Sequence, residues 1–93
     1  MTFRYDRDAD ALDITLSGGI VCRTVGIDSG TLVDVDEHGR ALAIEIIRPA
    51  RAWPLDEILD RFGVADEDAT VLRTLWNEES RYPFEEPAAL ALA

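Results

Sequence analysis

The chain has no lysine. Its nine basic residues are all arginine and are set against 19 Asp and Glu, a formal net charge of -10. Affinity for nucleic acid comes chiefly from Lys and Arg that neutralise phosphates. Here the arginines are scattered without a basic tract, so nucleic-acid binding by the monomer is not expected. A basic protein, by contrast, would be attracted to such a surface. Cys22 is the sole cysteine, which excludes an intramolecular disulfide and the secreted disulfide scaffolds. His38 is the sole histidine, so no two-histidine metal site can form. No stretch approaches the ~18–20 apolar residues of a membrane span, and no basic segment followed by an apolar run opens the chain. The expectation is a cytoplasmic protein without a membrane partner.

What is present is period-two alternation. Phe3 and Tyr5 flank Arg4, and Leu12, Ile14 and Leu16 alternate with Asp13 and Thr15, as half-buried strands do. Between them, Asp6-Arg7-Asp8-Ala9-Asp10 is a run of turn-forming carboxylates. Ser17-Gly18-Gly19 has the composition of a tight hairpin, leading into a strand from about Ile20 to Ile27. The first half of that strand has two possible registers, which a bulge or an edge position would reconcile. Asp28-Ser29-Gly30 is the next turn, followed by Thr31 to Asp36 with Val33 and Val35 on one face. Asp36-Glu37-His38-Gly39 fits a type I turn closed by glycine, and Leu42, Ile44 and Ile46 mark a fifth strand. Links this short imply a sequential antiparallel meander.

One apolar face of that meander needs a cover. Leu55, Ile58, Leu59 and Phe62 recur at helical spacing, behind Pro54 at an expected first helical position and ahead of Gly63 as a stop. Asp66 can cap a second helix, with Ala69, Leu72, Leu75 and Trp76 as its stripe. The expected class is α+β: a five-stranded antiparallel meander (2–48) covered on one face by a helix over 54–62, then a helix over 67–78. Residues 1–78 form one domain. Pro83, Pro87 and the Glu85-Glu86 pair predict a loosely ordered acidic tail over 79–93. A fragment ending at Pro49 is expected to be insoluble or molten, because the cover is missing.

The block Tyr5-Asp6, Asp10-Ala11-Leu12-Asp13-Ile14, Asp28 to Asp36, Gly39-Arg40 and Ile44-Glu45-Ile46 resembles the YuzE-like family of small bacterial proteins. The likeness covers residues 3–50, roughly half the chain. It implies a small antiparallel sheet followed by helix and brings no catalytic residues with it. Some members of that family look like partners of small toxin-like proteins.

Each chemically suggestive residue has a plainer reading beside it. Asp6, Asp8, Asp10 and Asp13 begin like a calcium loop, but Ala11 stands where the glycine belongs and Ser17 where the bidentate Glu belongs. A solvated turn is the simpler account. Asp34, Asp36, Glu37 and Glu45 could share the sheet's outer surface, as carboxylates of any half-wet sheet do. A Cys22–His38 dyad needs the fold to bring the two together, and Cys22 reads as a small strand residue. Trp53 and Trp76 suit packing within the domain. Trp76, Tyr82 and Phe84 are the candidate partner-binding residues, since aromatics concentrate at interface hot spots. No catalytic residue, metal ligand or cofactor is expected, and the protein is not read as an enzyme. The leading expectation is a non-catalytic interaction module, antitoxin-like, for a small basic protein. The alternatives are a metal-binding protein or enzyme using the N-terminal aspartates, and a purely structural homodimer.

Overall fold

Alternation decides which side of each strand is buried, and the computed structural model, which describes residues 1–76, follows it closely. The strands are β1 (Thr2–Asp6), β2 (Ala11–Thr15), β3 (Arg23–Asp28), β4 (Thr31–Val35) and β5 (Ala41–Ile47), followed by α1 (Leu55–Arg61) and α2 (Asp66–Leu75). All neighbouring strands are antiparallel. The class is therefore α+β, with both helices after the sheet. Leu12 and Ile14 of β2 face Ile46 and Ile44 of β5 in register, and Val33 of β4 also faces Ile44. Against this layer pack Leu55, Ile58, Leu59 and Phe62, with Ala69 and Leu72 of α2. Each buried Leu- or Ile-sized side chain contributes roughly 1.5–3 kcal/mol, so α1 closes the open face as its spacing implied.

The strand order corrects the sequential meander. It runs β1-β2-β5-β4-β3, with β5 inserted between β2 and β4, a Greek-key arrangement. Ser17-Gly18-Gly19 is no tight hairpin but part of a seven-residue connection, 16–22. That connection crosses the ends of β5 and β4, a step of three strand spacings or about 14 Å, well within its reach. The amides of Leu16 and Ser17 donate to the Leu42 carbonyl at 2.8 and 3.2 Å, and the Cys22 amide donates to Val35 at 2.8 Å. Leu42 presents that carbonyl at a register shift in the β4–β5 ladder, where Val35 pairs with Ala41 and Asp34 with Ala43. β3 consequently starts at Arg23 rather than Ile20, and its irregularity lies between Gly26 and Asp28. The β4–β5 turn is as expected, with Gly39 at φ 79°.

The helix ends differ slightly from expectation. Pro54 precedes α1 as its cap rather than opening it, and Phe62 ends it. α2 begins one residue early, with Ala65 at the cap and Asp66 inside the first turn. It ends at Leu75, capped by Trp76; residues 77–78 and the 79–93 tail lie outside the described residues. None of the described helices is long and apolar enough to cross a membrane.

Candidate functional site

The crossing connection, the β4–β5 turn and the α1–α2 link meet at one end of the sheet and enclose a cleft of about 630 Å³. Its apolar walls come from Leu16 and Leu42 on the sheet side and Val64 and Ala65 on the helix side. Ile20, 88% exposed, and Val21, 49% exposed, stand on the connection, and Ile20 lines the cleft. The polar lining is mostly anionic: Asp36, Glu37 and Asp68, against Arg40. Asp36 is held in place by the turn it closes. Its Oδ1 accepts the Arg40 amide at 3.0 Å and the His38 amide at 2.8 Å. The Arg40 N–H, then the His38 N–H, hold the Asp36 carboxyl below the usual carboxylate range against partial desolvation, so it is an anion at neutral pH. Clefts of this size with apolar walls and few polar groups are the usual form of a binding site.

The fold does bring Cys22 and His38 to the walls of this one cleft. They form no hydrogen bond with each other among the described residues; His38 Nε2 lies 3.5 Å from Glu37 Oε1 instead.

A second feature is the sheet face opposite the helices. Register places Arg4, Asp13, Glu45, Leu32 and Gly26 in one row across all five strands. The next row contains Asp34, diagonal to Glu45. Asp13 and Glu45 are directly opposed like charges, an arrangement that destabilises a sheet. Among the described residues neither takes part in an ion pair. Asp34 accepts the Thr24 hydroxyl.

The early aspartates do not converge. Asp6 Oδ1 accepts the amides of Asp8 and Ala9 at 3.0 and 3.2 Å, Asp10 accepts the Tyr5 hydroxyl, and Asp13 projects from the outer sheet face. The Asp10 hydrogen bond, helped by desolvation, pushes the Tyr5 hydroxyl up to about 12. Among the described residues no group of three or more His, Cys, Asp or Glu is arranged to hold a metal ion.

Of the candidate partner-binding aromatics, Tyr82 and Phe84 lie outside the described residues. Trp76 is half-buried at the end of α2. It meets Trp53 edge-on at 5.4 Å and the Phe3 ring at 6.1 Å. Both tryptophans thus pack within the domain, beside a shallow groove that also includes Pro54 and Arg73.

One residue was invisible to pattern reading. Arg51 folds back over Gly30, donating from Nε to the Ile47 carbonyl at 2.8 Å and from Nη2 to Thr31 Oγ1 at 2.8 Å. It also pairs with Asp28 at 3.2 Å. Asp28 is held below its usual range by the Gly30 N–H first, then by Thr31 and Arg51. The arrangement staples the exit of β5 to the β3–β4 turn, and no spacing rule announces it.

A five-stranded antiparallel sheet with both helices following it defines this as a small α+β protein. The chain belongs to DUF2283, a family of proteins of unknown function, whose profile matches residues 2–48. The match spans all five strands and ends before Arg51, α1 and α2. No curated protein and no solved structure matches the chain.

Proposed function

We propose that this chain is a non-catalytic protein-interaction module that takes a small basic protein, in the manner of an antitoxin. The observation that carries this reading is the uncovered outer face of the sheet. There Asp13 and Glu45 oppose one another, with Asp34 diagonal to Glu45. Arg4 stands opposite Asp13 on its other side without forming an ion pair among the described residues, and the repulsion that remains between the two carboxylates is relieved when an external cation arrives. Leu32 and Ile47 on the same face are exposed and supply apolar contact. The net charge of -10 adds long-range attraction. The likeness to the YuzE-like family, with its toxin-associated members, agrees with this reading. Trp76, Tyr82 and Phe84 stay with it as candidate contacts.

The test is isolation of the tagged full chain from its native cells, beside an Asp13→Asn/Glu45→Gln variant. A basic protein should accompany the native chain, leave it between about 0.1 and 0.5 M salt as screening takes hold, and be depleted from the variant. Isolation of the chain with no enriched basic protein refutes the reading.

A further inference from the structure

The cleft at the sheet's end has a chemistry distinct from that of the outer face. Its walls are aliphatic, Leu16, Leu42 and Val64, and three carboxylates share its lining with a single arginine. Arg40 is not placed to neutralise all three. Its stem lies beside Gly63, where a Cβ would stand 3.6 Å from Arg40 Cγ, and of the three carboxylates its charge helps hold that of Asp36 low. No ion pair joins Arg40 to Asp36, Glu37 or Asp68 among the described residues. An exposed isoleucine beside such a cleft leaves apolar surface in water that a bound group would cover.

We propose that this cleft receives an aliphatic side chain presented next to a guanidinium or ammonium group on the partner protein. The proposal rests on the basic-partner reading above and adds where the partner inserts and with what. The aliphatic group fills the space between Leu42 and Val64, with Ile20 against its exposed side. The cation meets the carboxylates of Asp36, Glu37 and Asp68. A second copy of this chain is the poorer occupant, because its own surface is anionic.

The smallest probe with that chemistry is n-hexylguanidinium, titrated into the isotope-labelled full chain and followed by amide chemical shifts. Saturable shifts are expected at residues 16–22, 36–42 and 63–68. Affinity should rise two- to fourfold for each methylene added from butyl to hexyl, somewhat below or near the value for full burial. Methylguanidinium and hexanoate, which each keep only half of the chemistry, should leave those amides in place. Ile20→Asn should weaken hexylguanidinium about fivefold through lost apolar contact. Because Ile20 is 88% exposed, the rest of the spectrum should be unchanged. Equal shifts with methylguanidinium, or none with hexylguanidinium, overturn the proposal. Shifts confined to Asp13, Asp34 and Glu45 overturn it too, while leaving the basic-partner reading intact. Movement of the cleft amides on simple dilution assigns the cleft to a second copy and also overturns it.

Discussion

Gly30→Ala should destabilise this protein through a residue twenty-one positions away. A Cβ at Gly30 would stand 2.7 Å from Arg51 Nη2, closer than a Cβ contact can be. Gly30 is not in the left-handed region, so alanine suits the backbone and the clash with the guanidinium is the whole problem. A flexible side chain can swing away, which sets the upper limit: the cost of Gly30→Ala cannot exceed that of losing every Arg51 contact. That limit is set mainly by the two 2.8 Å bonds, to the Ile47 carbonyl and to Thr31, whose side chain is fully buried. The pairing with Asp28 adds little, on the order of 0.5 kcal/mol, because both partners are partly exposed. Ordering the arginine offsets part of the gain. Arg51→Ala should therefore cost about 2 kcal/mol, lowering Tm by roughly 8–16 °C for a domain of this size. Gly30→Ala should cost between about 1 and 2 kcal/mol in the native background. In the Arg51→Ala background it should be neutral or slightly stabilising, since alanine also restricts the unfolded chain. Urea denaturation of the four proteins measures the cycle. Additive costs would show that the guanidinium does not hold the turn, and the staple would have to be abandoned.

Three further outcomes follow from the same geometry. Ile58→Ala, at a fully buried position on α1, should cost about 2–5 kcal/mol; a loss below about 1 kcal/mol in denaturant titration would deny that this helix closes the core. The Tyr5 hydroxyl should ionise near 12 rather than 10, and Asp10→Asn should return it toward 10, as ultraviolet titration would register. Because the folded value is the higher one, the stability Tyr5 draws from Asp10 is fully present below 10 and lost as pH rises toward 12. For Asp28 the sign is reversed. Its carboxyl is lowered from 3.8 in the folded state, so its contribution is present above that value and lost as pH falls below it. Asp28→Asn should then remove that part of the acid dependence, and an unchanged slope of stability against pH below 3.8 would contradict the lowered carboxyl.

Much of the architecture was legible because it depends on near neighbours. The alternation of Leu12 with Ile14, Val33 with Val35 and Ile44 with Ile46 fixes which strand faces are buried, and the Leu55–Phe62 stripe fixes what covers them. Strand order was not legible in the same way. Ser17-Gly18-Gly19 carries the composition of a tight turn, yet the pairing of Ile44 with both Ile14 and Val33 holds β5 between β2 and β4, and the glycines serve a longer path. That path also turns Ile20 out to water where strand periodicity would place it in a ladder. The cleft and the Arg51 staple were hidden for a related reason. Each is made by segments distant in sequence, and neither leaves a periodic trace. The candidate aromatics were half legible, with the packing of Trp53 and Trp76 foreseen and the contact of Trp76 with Phe3 not.

The insertion of β5 also orders events during synthesis. Until residues 41–47 leave the ribosome, the hairpins β1–β2 and β3–β4 have no ladder in common. The last ribbon to emerge is the keystone. Sheet assembly waits on contacts about thirty residues apart, from Ile14 to Ile44, which are slow to form. A chain halted before Ala41 would hold two unjoined hairpins, with Leu12, Ile14 and Val33 still in water.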